Sequence, residues 1–520
     1  MTLLLREKLY CTKIRYDDRE YKYLLRNMLK RVKISCKIIN RITLMEVFAV
    51  CKLKKVFFGY ADAEEEFNQK PELFDSAFVD PHNYLDTILN GPKYLILGRK
   101  GTGKTAFSAK IRRVADLSDD IIAKPCSLAD MDYVTFNGFA ESNVTGGKRF
   151  RNIWKYLLLI EILKMIFNKY PNQENLELTE LYEGLKKYGF ITNDSLVRVA
   201  TKIKLTEMTL NIAEIFEAKS NIERCAKLNG PDEIADVILN TIKDSYFGER
   251  KFFLIVDGLD DVLRLEEFSP DIVTGLLRAI NYVNKIFSVA DVKVKVVLLM
   301  RTDIFDLCRD PDLNKIKRDA AINLSWTKDD LKDIVYKRIR VQHPQITSFE
   351  DFWDNYAPIN YKNAPSMSFL FELTLLRPRD ILQFFIECQD MYGNNNSLSY
   401  SELNTVANGY SKNYFIGEMR DELTGILEDS IVTAIPGILS SMGTRRFKES
   451  DLESSSEIKS LNCTARQLLE VMYNTGYVGQ IRCRNGKRML SFRHINPYDK
   501  YNAKDECIVH RGITKAVNIG

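Results

Sequence analysis

Apolar positions along this chain fall into runs of two kinds. Three are short and nearly continuous: Tyr94–Leu97 (YLIL), Phe252–Val256 (FFLIV) and Val294–Met300 (VKVVLLM), the last broken only by Lys295. Short apolar runs of this kind, rich in β-branched residues and lacking strict polar alternation, predict strands buried on both faces of a parallel sheet. Other runs carry helical spacing. Trp154–Phe167 (WKYLLLIEILKMIF) is apolar nearly all round, 234–245 is amphipathic, and Ala465–Tyr473 predicts a helix that stops before Gly476. Tyr21–Val32 has some helical periodicity, and MLSFRH near the C-terminus is strand-like. The pattern predicts an α/β protein. Its regions are 1–57 as a leader, 58–110 and 251–345 as a strand–helix core, 111–250 as a mainly helical insertion, 346–430 as a helical lid and 431–520 as mixed helix and short strand.

Composition narrows the class. The 520 residues suit two to four domains, and 45% hydrophobic with 28% charged residues is ordinary for a globular chain. No stretch approaches about twenty uncharged apolar residues, so a membrane span is not expected. Ten scattered cysteines without a CxxC pair, beside four histidines, show no zinc pattern and suit a reduced, cytoplasmic compartment. Charge is uneven. Residues 1–55 hold fifteen Lys or Arg against five Asp or Glu, a local +10 in a chain of net +5. Such an arm can bind nucleic acid or anionic lipid. It equally reads as a solvated leader, or as the product of an upstream start with Met28 or Met45 as the alternative beginning.

The strongest chemical signal follows the first strand. Gly98-Arg99-Lys100-Gly101-Thr102-Gly103-Lys104-Thr105-Ala106 is a full Walker A pattern between an apolar run and a helix-compatible stretch. Glycines let backbone N–H groups turn inward around a phosphate, and the following helix adds its positive end. Lys104 would place a charge between the outer phosphates of ATP, and the Thr105 hydroxyl would complete a magnesium shell. No NKxD-like guanine signature occurs, which favours ATP.

That chemistry needs a second carboxylate at a neighbouring strand end. Asp257, closing FFLIVD, is the Mg2+ candidate, with Asp260 and Asp261 as candidates to orient attacking water. DG and DD pairs also mark ordinary strand-end turns. The 152 residues between Lys104 and Asp257 exceed one strand and one helix, hence the insertion. Arg301, at the tip of the third apolar run, is a candidate phosphate sensor or a surface arginine. Arg379, in the first turn of a helix opened by Pro378, would face the nucleotide from a lid, or pair with Asp380 or Glu372.

The order Walker A, DGLDD, LLMRTDIF, INLSWTKDDLKDIVYKRI (322–339) and LRPRDIL resembles the signal-transducing and AAA-related ATPases. The resemblance is nearest to a family of bacterial P-loop ATPases whose shared part opens with a phrase like FGYADAEEEF (58–67) and continues like LGRKGTGKTA (97–106). It covers roughly 57–520, weakest in the insertion. It implies a P-loop NTPase parallel sheet of AAA-like type with helical insertion, helical lid and C-terminal winged-helix-like domain. It also implies a start near Met45, a sensor role for Arg301 and a lid role for Arg379.

Three functions are expected in order. The first is an ATP-binding and ATP-hydrolysing switch that self-assembles into an oligomer, acting in anti-phage defence or signalling. The second is an initiator-like or remodelling ATPase that binds DNA. The third is a nucleotide-binding scaffold with little turnover. Arg482, Arg484, Lys487, Arg488 and Arg493 make the C-terminal hairpin basic, which suits weak, non-specific DNA binding or a solvated surface. His494 and His510 read as fold residues.

Overall fold

The three apolar runs become the middle of a five-stranded parallel sheet. A computed structural model describes residues 51–520 except 61, 130, 132, 134–135, 137, 139–144, 172–174, 193–209, 212–226, 229–230, 260–268, 485 and 520. Tyr21–Val32, Met28, Met45, Asp260 and Asp261 lie outside the described residues. The strands are β1 (Leu95–Gly98), β2 (Ile121–Ser127), β3 (Lys251–Asp257), β4 (Val294–Arg301) and β5 (Ala321–Asn323). Their order across the sheet is β2-β3-β4-β1-β5, and every neighbouring pair is parallel. The strand β2 falls within 111–250, so the sheet draws an edge strand from the stretch expected to be helical. Its Lys124 and Pro125 broke the apolar pattern. At three residues, β5 is too short to leave a period.

Alternation along the strands decides what covers each face. Leu254, Val256, Leu298 and Met300 belong to a core shared with α2 (Lys148–Lys169), α3 (Pro231–Lys243) and α4 (Pro270–Val289). Phe253, Ile255, Val297 and Leu299 instead meet Phe107 and Ile111 of α1 (Lys104–Asp116). The run Trp154–Phe167 is apolar all round because α2 is enclosed by the sheet, α3 and α4. Its buried Glu161 accepts from Lys124 at 2.6 Å and Lys164 at 2.8 Å. Burial alone would raise that carboxyl, yet the two ammonium groups hold it below its ordinary range.

Register sets the functional edge. Gly98 pairs with Arg301 and Ser127 with Asp257, so the carboxyl ends of β1, β3 and β4 share one rim of the sheet. Ligands of open α/β sheets bind at that rim. Helix α5 (Lys328–Gln342), capped reciprocally by Thr327 and Asp330, closes the 251–345 stretch, and the lid contributes α6 (Pro378–Tyr392), with Pro378 at its first position. A π-helical turn, Tyr410–Phe415, leads into α7 (Ile416–Leu423). The chain then forms a four-stranded antiparallel sheet of β6 (Arg446–Phe447), β7 (Val478–Arg484), β8 (Lys487–Ser491) and β9 (Glu506–Val509), in the order β6-β9-β7-β8. With α8 (Ala465–Thr475) before β7, this is the helix–strand–strand order of a winged-helix-like domain, extended by β6 and β9. Among the described residues, no helix is long and apolar enough to cross a membrane.

One buried side chain ties α4 to the sheet. Asn284 donates Nδ2–H to the Val296 carbonyl at 2.9 Å and accepts the Val296 N–H on Oδ1 at 2.8 Å. Asn284→Ala leaves both backbone groups without that partner. The expected loss is about 2–4 kcal/mol, read as a lower urea midpoint. A loss under about 0.5 kcal/mol would show that water replaces the amide.

Candidate functional site

The phosphate loop leaves β1 at Gly98 and closes at Gly103, whose φ of +91° suits only glycine comfortably. Lys104 follows as the first residue of α1 and is buried. Its ammonium curls back to donate to the carbonyl oxygens of Gly98 at 3.4 Å and Arg99 at 3.3 Å. The Thr102 hydroxyl donates to the Arg99 carbonyl at 2.8 Å, and the Trp326 indole N–H donates to the Thr102 carbonyl at 2.9 Å. Trp326, just before the α5 cap, thus braces the loop from outside.

Asp257 ends β3 beside this loop. Gly258, at φ +93°, is the second glycine that geometry demands. A Cβ there would lie 2.6 Å from the Ala129 nitrogen. The turn lets the Gly258 N–H donate to Asp257 Oδ1 at 2.7 Å, fixing the carboxylate at the rim.

A cavity of about 530 Å³ lies over these groups. Its polar lining holds Lys100, Gly101, Gly103, Lys104, Thr105 and Ala106 of the loop, with Asp257 and Arg379. Its apolar lining holds Phe58, Phe74, Phe78, Val79, Ile334 and Ile386. Eight of the sequence candidates therefore share one cavity. Gly98, Arg99 and Thr102 stand behind it in the same loop. Arg301 sits beside Gly98 in register, but it is not among the lining residues. Its guanidinium donates to both oxygens of Asp303, at 3.0 and 2.6 Å. Asp260 and Asp261 are outside the described residues. Thr105 and Asp257 offer a hydroxyl and a carboxylate, hard oxygen donors suited to magnesium.

Several further residues shape this region through contacts distant in sequence. Glu66 and Arg338 form a buried two-bond ion pair, at 2.8 and 3.1 Å, which closes the 58–79 segment onto α5. On α7, Glu418, Asp421 and Glu422 recur at helical spacing and meet the loop's cations. Lys100 lies 3.8 Å from Glu418 and 3.5 Å from Asp421. Arg379 pairs with Glu418 at 3.4 Å rather than with Asp380 or Glu372. Asp380 instead accepts from the Leu375 N–H and the Tyr414 hydroxyl, each at 2.8 Å, while Glu372 pairs with Arg511 at 2.9 Å. Three acids at i, i+3 and i+4 were the available signal for a shared face.

Glu422 is the most enclosed of the three. It accepts from Arg99 at 3.2 Å, Arg377 at 2.8 Å and the Tyr477 hydroxyl at 2.7 Å. Burial alone would raise its carboxyl, but Arg377, Arg99 and that hydroxyl hold it at about 2. His510 stacks on Phe415 at 5.2 Å, and burial pushes its imidazole down to about 3, in keeping with a fold residue. In the hairpin, Arg482 is held by Asp499 at 2.9 Å and Arg493 donates to the Asp499 carbonyl, while Lys487 and Arg488 are exposed.

Residues 329–416 match the family described as the FunZ-associated C-terminal helical domain. The match covers most of the lid. An Escherichia coli (strain K12) protein named transposon gamma-delta 80.3 kDa protein is 22% identical over 479 residues. The alignment takes in 87% of this chain and 66% of that protein, so the chain spans just under two thirds of its relative. Solved structures with similar arrangement include Cdc6p from Pyrobaculum aerophilum, at 13% identity over 88% of this chain and 95% of that one, TM-score 0.32. Aeropyrum pernix ORC2, in ADPNP–ADP complexes, matches at 12% over 86% and 93%, TM-score 0.36. Aeropyrum pernix ORC1, in complex with DNA, matches at 12% over 88% and 96%, TM-score 0.36. At such distances the fold is read from the strand order and the loop themselves.

The Glu422 cluster carries a pH signature. Its carboxyl sits below the ordinary 4.5, so the stability it supplies is present above pH 4.5 and fades as pH falls toward 2. Glu422→Gln should lose about 3 kcal/mol at pH 7 by urea unfolding, with the gap to the parent narrowing below pH 4.5. An equal gap at pH 7 and pH 3 would contradict an ionised Glu422.

Proposed function

We propose that the chain binds and hydrolyses Mg-ATP and uses the cycle as a conformational switch. The cavity carries this reading, because one space joins a phosphate loop and Asp257 to an aromatic and aliphatic lining. A nucleoside triphosphate has that polarity, charged at one end and flat and weakly polar at the other.

The roles follow from placement. Loop amides from Lys100 to Ala106 bind phosphate oxygens, and Lys104 exchanges its carbonyl partners for the outer phosphates. Thr105 and Asp257 hold Mg2+, which would offset charge on the phosphates. Asp260 or Asp261, three and four positions beyond Asp257, orients the attacking water. Arg379 approaches from the lid, and Arg301 reports the γ-phosphate if it leaves Asp303. Phe58, Phe78, Val79 and Ile334 take the base.

A second reading, an ATPase that acts on DNA, draws on two observations. Lys487 and Arg488 are exposed on a hairpin in which Arg482 is tied to Asp499. The 22% identical relative is also named as a transposon protein. Oligomer formation and an anti-phage role are consistent with a switch and rest on no contact described above.

Lys104→Ala should abolish hydrolysis and weaken ATP binding, while Asp257→Asn should spare binding more than turnover, each measured by equilibrium binding and phosphate release. Normal turnover in Lys104→Ala would refute the phosphate-loop assignment. If the hairpin meets DNA, Lys487→Ala with Arg488→Ala should flatten the log–log salt dependence of binding by about 0.9 per phosphate lost, without changing basal hydrolysis. An unchanged slope would place the DNA surface elsewhere.

A further inference from the structure

Helix α7 touches two parts of the molecule that share no strand or helix. On one side it faces the phosphate loop. Lys100 lies near Glu418 and Asp421, and Arg99, one residue earlier, pairs with Glu422. On the other side it faces the C-terminal sheet, because Tyr477, the residue before β7, donates its hydroxyl to Glu422. Arg99 also donates directly to the carbonyl oxygen of Thr475, the last residue of α8. The second residue of the phosphate loop is thus bonded to both α7 and the C-terminal domain.

The contacts are unequal in burial, which decides which of them yields. Glu422 is 4% exposed and Arg377, which shares it, 2%, whereas Asp421 is 62% exposed. Two guanidinium nitrogens of Arg377, Nε and Nη1, have no hydrogen-bond partner among the described residues, so its bond to Glu422 does the holding. Breaking one member of such a buried group leaves a charge in a dry site. The outer pairs, Lys100 with Asp421 and Arg379 with Glu418, are longer and wetter, and are the ones that exchange easily.

We propose that α7 is the relay by which occupancy of the phosphate loop reaches the C-terminal sheet. This rests on the nucleotide reading of the cavity. Glu418 and Asp421 line the space that phosphates would enter, and so does Arg379. An arriving triphosphate repels both carboxylates and takes Lys100 and Arg379 from them. The helix loses its outer contacts and keeps the inner one, so its shift is passed through Glu422 to Tyr477 and β7. The coupling is reciprocal, and a loosened C-terminal sheet alters nucleotide affinity by the same factor. Tyr477 sits outside the cavity lining, and removing its hydroxyl leaves its ring against Phe415 at 5.8 Å.

The test uses hydrogen exchange in the full chain, followed in peptides covering 476–484, with and without a non-hydrolysable ATP analogue and magnesium. Nucleotide affinity is measured on the same samples by equilibrium dialysis. In the parent protein the analogue should change exchange in these peptides by about fivefold or more. Tyr477→Phe should still bind the analogue, within about tenfold of the parent because the lost coupling itself alters affinity, yet lose most of that response. In Glu418→Gln, exchange without nucleotide should already lie nearer the occupied value. A Tyr477→Phe response equal to the parent's, or a Glu418→Gln protein indistinguishable from the parent, overturns the relay. Binding by the parent with no change in exchange overturns the relay and leaves the nucleotide site standing. No binding by the parent overturns both.

Discussion

A carboxylate removed from water, Glu422, accepts bonds from a phosphate-loop arginine, a lid arginine and a C-terminal tyrosine. Each partner comes from a different stretch of chain, and none is near the others in sequence. A buried acid held by two guanidinium groups and a hydroxyl is weakened by loss of any donor, most by loss of a charged one, since desolvation penalises whatever charge is left alone. Glu422 is therefore one point at which the loop, the lid and the C-terminal sheet meet, beside the Arg99–Thr475 bond and the packing of Phe415 on Tyr477 and His510. The parallel sheet supplies the rigid half of this arrangement. Its register sets Gly98, Asp257 and Arg301 along one rim before any lid residue is involved.

The cavity inherits its chemistry from that geometry. Backbone and cations from the sheet side face acids and an arginine from the lid side, and the 58–79 segment adds the apolar wall. The Glu66–Arg338 pair keeps that segment in place by joining it to α5. Like Glu422, it is an ion pair with little water around it. The Glu66–Arg338 pair adds to apolar packing of the same segment, where Phe78 meets Phe107 of α1 and Phe58 stacks on Phe385 of α6. The cores themselves are divided by the sheet, one against α2, α3 and α4 and the other against α1.

The sheet's centre was legible because strands buried on both faces write near-continuous apolar runs, and the loop at 98–105 because its glycines fall where the backbone turns, as the φ of +91° at Gly103 shows. Asp257 was legible by position, as the acid that closes an apolar strand. The edge strands were not. Lys124 and Pro125 interrupt β2, and three residues in β5 cannot show alternation. Arg379 pairs with neither acid nearby in sequence, since Asp380 and Glu372 are bonded elsewhere. The true partner, Glu418, is brought over by tertiary packing of α7. Glu422 was invisible for the same reason. Long-range ion pairs leave no local period, so only the recurrence of acids at 418, 421 and 422 hinted at a common face.

The central claim is that the cavity takes a nucleotide with its base against the 58–79 wall and its phosphates on the loop. Photolabelling of the full chain with 8-azido-ATP, followed by peptide mapping, tests it most directly. The account predicts that label falls in peptides containing Phe58, Phe74, Phe78 or Ile334, and that unlabelled Mg-ATP removes it. Label confined to other peptides, or label that excess ATP leaves in place, would contradict it.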